Sequence, residues 1–222
     1  MIDDTSAELE KNHNKEIPKK IKEYIENHDM EFIMEEIPKA SEQIISGVTR
    51  VSDIIQAMNE FSHPGKGVKD KADINQLLKS TLVMVQSKIK KNADIQLELS
   101  EALPQIPCYA GELNQVFMNI LINALDAIIE TGEWGSITIS THVEGTEVVI
   151  AISDTGCGIS IESQDNIFNP FFTTKEVGKG TGQGLSLAHN VIIEKHKGKL
   201  DFTSREGKGT TFYIYLPIKG EH

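Results

Sequence analysis

Of the rarer side chains the 222-residue sequence contains only two cysteines and one tryptophan, and its seven prolines form no repeat. Cys108 and Cys157 stand apart from each other and from any histidine cluster, which argues against a disulfide framework and against a Cys/His zinc site. A reducing compartment, the cytoplasm, fits that usage. No stretch approaches the ~20 unbroken apolar residues needed to span a bilayer, and no signal-peptide pattern is present, so direct membrane insertion is not expected. Positive charge is also short: 22 Lys and Arg against 33 Asp and Glu leave a formal net charge of -11. Nucleic acid and anionic lipid would be repelled by such a chain, so any phosphate has to be held by local devices. What remains, 39% hydrophobic and 25% charged residues, is the balance of a globular protein. The length accommodates one domain with an appendage.

Residues 1–12 are polar and aperiodic and read as a loose end. Pro18 and Pro38 each suit the opening turn of a helix. Ile37, Ala40, Ile44, Val48, Val51, Ile55 and Met58 then recur in steps of three and four, the seam of an amphipathic helix over about 38–62. Such a seam fits either a dimer bundle or a helix lying on its own domain's core. Residues 1–65 are therefore assigned to a helical region and 66–72, after Pro64 and Gly65, to a linker. A second domain follows over 73–219. Asp73 is placed to cap a helix with Ile74, Leu77, Leu78, Leu82, Val85 and Ile89 on its apolar face. Ile95, Leu97 and Leu99 alternate as a strand does, and Glu112 to Ile129 reads as a helix. Ile137–His142 and Val148–Ser153 read as strands joined by a turn at Gly145. A long functional loop is expected from Asp154 to Gly184, with glycines near its two ends. A helix from about Leu185 to His196, stopped by Gly198, precedes a closing hairpin of Leu200–Thr203 and Thr211–Leu216. The fold class predicted is α+β: a two-layer sandwich with a mixed sheet covered by helices on one face, preceded by a helical segment.

Four segments carry chemistry. Asn119 and Asn123, four apart, share one helix face and offer neutral oxygens to a hard cation clamped on phosphates, unless they form a solvent-facing stripe. Asp154, at the end of an apolar strand in Asp154-Thr-Gly156-Cys-Gly158, can accept a hydrogen bond from an exocyclic amine such as that of adenine. Gly156 and Gly158 there permit close backbone approach, although Asp-x-Gly is also an ordinary turn. Phe168, Phe171 and Phe172 in one loop suggest a hinged lid, or a loop pinned to the core, and Lys175 can meet a phosphate as a point charge. Finally Gly178-Lys-Gly180-Thr181-Gly182-Gln-Gly184-Leu185 opens a helix and bares backbone N–H groups to an anion. It is neither a Walker loop nor a dinucleotide fingerprint.

In this order the four segments resemble the N, G1, F and G2 boxes of the ATPase domain of sensor histidine kinases, within the superfamily of gyrase, mismatch-repair ATPases and heat-shock chaperones. The resemblance covers roughly Asp73 to Lys219. It implies a Bergerat-type fold binding ATP and magnesium, with Asn123 the metal ligand and Asn119 its neighbour at the phosphates. It further implies that Asp154 recognises adenine between Gly156 and Gly158, and that Gly180, Thr181, Gly182, Gly184 and Leu185 wrap the triphosphate. Lys175 and Asn119 would act on the phosphoryl group, and Thr211 would place its hydroxyl near the base. Gln183 departs from the apolar residue usual in this glycine run.

Related hydrolytic ATPases commonly carry a glutamate four positions before the magnesium asparagine. Here that position is Asn119, and an amide cannot accept a proton at neutral pH, which favours phosphotransfer over hydrolysis. The resemblance thus implies a protein histidine kinase, a homodimer built on a partial dimerisation hairpin, and a response-regulator receiver domain as partner. No phosphoacceptor is evident: His13 precedes Pro18 but lacks the following acid and a bundle helix. His63 ends a helix, while His189 and His196 suit packing or a C-terminal dipole role. The acceptor is expected on an upstream helix or a partner chain. The alternatives are a nucleotide-gated regulatory module and a hydrolytic ATPase.

Overall fold

A computed structural model describes Phe32, residues 34–45, 47–48, 69–175 and 180–219. The chain divides into two units, residues 1–57 and 58–222, each taken by itself. In the first, residues 34–45, 47 and 48 are helical. Pro38 lies inside this run rather than opening it, a correction to the sequence reading. Ile37, Ile44 and Val48 are all exposed, so this part of the apolar seam has no cover among the described residues. Val51, Ile55, Met58, His13 and His63 lie outside the described residues.

The first described element of the second unit is β1 (Asp70–Ala72), which starts inside the segment expected to be linker. It pairs antiparallel with β3 (Ile106–Cys108), closing the domain between two distant stretches. Helix α1 (Ile74–Ile89) starts where expected, with the Asp73 side chain accepting a hydrogen bond from the Gln76 N–H at 3.1 Å. Its periodic apolar positions Ile74, Leu78, Leu82, Val85 and Ile89 are buried. Helix α2 (Ala110–Thr131) is the longest described element, and ends at Gly132, whose φ of 71° is the left-handed cap that glycine adopts without strain.

The main sheet has the order β2-β4-β5-β7-β6, built from β2 (Ala93–Leu99), β4 (Gly135–Glu144), β5 (Glu147–Asp154), β6 (Lys199–Arg205) and β7 (Gly209–Pro217). β2 runs parallel to β4 and every other pair is antiparallel, so the sheet is mixed. Ile137, Ile139, Ile150, Ile152, Phe212 and Ile214 face the helices and form one core with Phe117, Ile120, Leu121 and Ile128 of α2. Each such side chain contributes roughly 1.5–3 kcal/mol by leaving water. Ser, Thr and Tyr residues alternate onto the opposite face.

Between β5 and β6 lie a four-residue helix α3 (Ile161–Gln164) and α4 (Gly184–Asn190). The latter continues as a π-helical segment, Val191–Lys195, where a plain α-helix to His196 was expected. The stop is also different in kind. Lys197 takes the left-handed conformation at φ 54°. Gly198 is needed instead because a Cβ there would meet the carbonyl of Tyr215. Among the described residues no helix is long and apolar enough to cross a membrane.

Candidate functional site

Strand β5 delivers Asp154 to the sheet end with only 6% of its surface exposed. Its Oδ1 accepts hydrogen bonds from the Gly156 N–H at 2.8 Å and the Thr210 N–H at 3.3 Å. Oδ2 has no hydrogen-bond partner among the described residues and is the atom left for a ligand. Burial pushes the carboxyl up to about 6 from the usual 3.8, against the lowering effect of those two N–H donors. The loop after Asp154 is fixed by close contacts. A Cβ on Gly156 would stand 2.6 Å from Ala127 of α2, and the Cys157 N–H donates to the Ala127 carbonyl at 3.0 Å. Gly158, at φ +73°, lies against the Arg205 carbonyl, closer than any side chain permits.

Helix α2 carries the polar counterpart. Asn119 Nδ2 donates to the Gly184 carbonyl at 3.1 Å, joining it to the first residue of α4. Lys175 Nζ donates to Asn123 Oδ1 at 3.2 Å and to Asp126 Oδ2 at 2.6 Å. Asn119, Asn123 and Asp126 thus lie on one helix face, at positions i, i+4 and i+7. The structure brings the predicted Asn123 and Lys175 together and adds Asp126, which the sequence did not single out because an aspartate on a half-exposed helix face is ordinary in itself.

The glycine run is assembled around the same place. A Cβ on Gly180 would stand 2.6 Å from Thr173 Oγ1, and one on Gly184 would lie in ordinary contact with Asn119. Gly182, at φ +65°, lies against Phe171, whose N–H donates to the Gly182 carbonyl at 2.8 Å. Thr181 Oγ1 accepts from the Gln183 N–H at 3.4 Å, and Leu185 is packed on the core. Gly178 lies outside the described residues. Two of the three phenylalanines are seated: Phe168 packs on His189 and Phe202, and Phe172 on the core. Phe171 is 71% exposed and holds φ 68°, an uncommon conformation for so bulky a residue.

The expected Thr211 lies on the other sheet face from Asp154. Thr211 Oγ1 donates to Ser153 Oγ at 2.9 Å, and the two residues are paired on the sheet face away from the helices. Its neighbour Thr210 is the one beside Asp154, and its hydroxyl lies 2.8 Å from Ser204 Oγ. Adjacent strand residues point to opposite faces, so Thr210 and Thr211 lie on different sides of the sheet. His196 has the packing role expected of it: buried, it accepts from the Tyr109 N–H at 3.0 Å. Its Nδ1 lies 2.8 Å from the Val191 carbonyl.

The donor set fits a hard cation held chiefly by a ligand's phosphates. Asn119 and Asn123 supply amide oxygens, and Asn123 Oδ1 already faces a cationic group. No cluster of three or more His, Cys, Asp or Glu able to hold a metal without a ligand occurs among the described residues.

A buried carboxylate at a strand end, a glycine-lined loop beside it and an asparagine-bearing helix facing a second glycine run are the parts of one ATPase class. The chain belongs to the histidine kinase-, DNA gyrase B- and HSP90-like ATPase family, whose model matches residues 109–220. It is 36% identical over 171 residues to the sensor histidine kinase ZraS of Escherichia coli strain K12, covering 76% of this chain and 35% of that protein. To the signal transduction histidine-protein kinase AtoS of the same strain it is 38% identical over 177 residues, covering 79% of this chain and 28% of the relative. The chain therefore spans about a third of the length of these curated relatives. Among solved structures, the catalytic domain of histidine kinase ThkA matches with a TM-score of 0.61 at 32% identity, covering 68% of this chain and 96% of that one. The chain thus carries the ATP-binding domain of the sensor histidine kinases, in the mixed-sheet, one-sided sandwich expected from its sequence.

Proposed function

We propose that this chain transfers the γ-phosphoryl group of ATP to a histidine carried on an upstream helix or on a partner chain. The observation that supports this most directly is the buried carboxylate of Asp154, whose Oδ2 has no hydrogen-bond partner among the described residues, in the domain where Asn123 of α2 accepts from Lys175. Asp154 would accept from the adenine amine, and the close packing of Gly156 on Ala127 and of Gly158 on Arg205 would hold the loop beside it in place. Asn123 and Asn119 would hold magnesium together with the phosphates, which it would serve by neutralising their charge. Lys175 would meet the phosphates, and the N–H groups of Gly180, Thr181, Gly182, Gly184 and Leu185 would cradle them. Asn119 has no basic oxygen and is engaged with Gly184, so no general base for water stands at that position, which favours transfer over hydrolysis.

In this reading residues 73–219 are the catalytic domain, and the exposed seam of Ile37, Ile44 and Val48 belongs to the partial dimerisation hairpin of a homodimer. The final recipient is the receiver domain of a response regulator. ThkA, whose solved complex contains the response regulator protein TrrA, matches this chain with a TM-score of 0.63 at 28% identity, covering 79% of this chain and 49% of that one. ATP supply and the unpaired Cys108 and Cys157 fit the cytoplasm.

Incubating the chain with γ-labelled ATP and magnesium, alone and with a histidine-bearing hairpin in trans, tests the proposal. Acid-labile, alkali-stable label on the hairpin is the expected result, with little label on the chain itself. Steady phosphate release, or nucleotide binding without any labelled hairpin, would count against it.

A further inference from the structure

Lys175 is bound twice on α2, and the second partner is the one the proposed chemistry does not use. Its ammonium makes its shorter contact, 2.6 Å, with Asp126 Oδ2 and its longer one, 3.2 Å, with Asn123 Oδ1. The short bond joins two ionised groups that are each only about one-third exposed, so it outweighs the bond to the neutral amide. Asn123 Oδ1 is also the oxygen assigned to magnesium above, and two cations held on one amide oxygen repel each other strongly. Metal and lysine therefore compete for Asn123.

We infer that Asp126 is a positioning residue: it stores Lys175 on α2 beside Asn123 and releases it to the phosphates only when a nucleotide and a divalent cation arrive together. The inference rests on the reading of Asn123 and Lys175 given above. Nucleotide arriving without metal must draw Lys175 away from Asp126 and leaves a bare carboxylate facing phosphate oxygens, with repulsion between them. Nucleotide arriving with metal brings a cation that relieves that repulsion. Asp126 thereby makes the site selective for the metal complex over the free nucleotide.

Two effects of opposite sign follow for Asp126→Asn. Affinity for nucleotide in excess chelator rises by about threefold, the scale of one partly exposed ion pair. The further tightening produced by magnesium shrinks by at least the same factor. Asp126→Glu keeps the charge and retains the wild-type pattern. Calorimetric titration of the whole chain with ADP, in chelator and in magnesium, reads both effects. A nucleotide-free readout accompanies it: Lys175 acylation by an amine-reactive ester, followed by peptide mapping, speeds up in Asp126→Asn. Equal affinities in both variants, or proportional weakening with and without magnesium, would overturn the role of Asp126, as would unchanged Lys175 acylation. A wild-type chain that binds ADP identically in chelator and magnesium would instead refute the metal reading of Asn123, while the acylation result still reports on the Lys175–Asp126 pair.

Discussion

Asp154 and Thr210 lie 56 positions apart in the chain, yet the Thr210 N–H donates to Asp154 Oδ1 at 3.3 Å. That bond ties the end of β5 to the start of β7 and engages one carboxylate oxygen, while the other has no hydrogen-bond partner among the described residues. A structural turn alone needs no buried carboxylate, whose desolvation is unfavourable.

Asp154→Asn is expected to abolish measurable ATP binding while leaving the melting temperature unchanged or higher. The carboxyl holds its proton more tightly when folded than when unfolded, being raised to about 6 from 3.8. Its contribution to stability therefore falls as pH rises from 3.8 to about 6 and is level above that. At neutral pH the substitution removes that penalty, on the order of 2 kcal/mol before any change in the two N–H bonds. Nucleotide affinity should itself decline as pH drops below about 6, because protonation blocks acceptance from the adenine amine. Calorimetry between pH 5 and 7.5 measures the decline.

Thr210→Val and Thr211→Val separate the two faces of β7. Loss of the Thr210 hydroxyl unbalances Ser204, whose Oγ accepts from the Ile159 N–H at 2.8 Å and so anchors the loop after Asp154. A several-fold weakening of nucleotide binding is expected, about the worth of one hydrogen bond. Thr211→Val should change binding less than twofold, roughly the scatter of surface substitutions. Nucleotide titrations of both variants decide between the two threonines.

Gly158→Ala places a methyl group into the Arg205 carbonyl and forces a side chain to φ +73°. Both effects act on the same corner, so destabilisation of about 2–4 kcal/mol is expected, visible as a shifted midpoint in urea unfolding. Gly145→Ala, also at positive φ but in open space, should cost only about 1 kcal/mol.

His196 should make the domain acid-sensitive. Burial holds its pKa below the ordinary 6.5, opposed by the bond to the Val191 carbonyl; Lys69 and Lys195 act with burial, Glu112 against it. Below pH 6.5 the unfolded chain takes up a proton that the folded chain resists, so stability falls as pH falls through that value. Protonation would also remove the acceptor for the Tyr109 N–H. Unfolding measured at pH 5.5 and 7.5 should show the difference, and His196→Ala should flatten it while costing about 1–3 kcal/mol for the orphaned N–H.

Periodicity made the large elements legible. The cap at Asp73 and the buried stripe of α1 follow from the sequence, as do β4, β5 and the turn at Gly145. β1 and β3 were not legible because three residues cannot display an alternation, and their pairing joins positions far apart. The π-helical segment at Val191 inserts no distinctive residue type. Among the candidate site residues, spacing placed Asn119 and Asn123 on one helix face and the strand pattern placed Asp154 at a strand end, and both placements are seen. Thr210 and Asp126 were not singled out, for different reasons. The first depended on strand parity after Gly209, whose φ of 105° no periodicity announces. The second depended on where Lys175, distant in sequence, comes to rest.

Helix α2 carries Asn119 and Asn123, proposed to hold the phosphates, and about one to two turns further on fixes the loop after Asp154, proposed to hold the base, through the Ala127 carbonyl that receives the Cys157 N–H. Eight residues of helix separate Asn119 from Ala127, a rigid span of about 12 Å. The interval between base and phosphates is thus measured by a ruler that loop substitutions cannot stretch, so ligands whose phosphate chain is one unit too long or too short must forfeit contacts at one end.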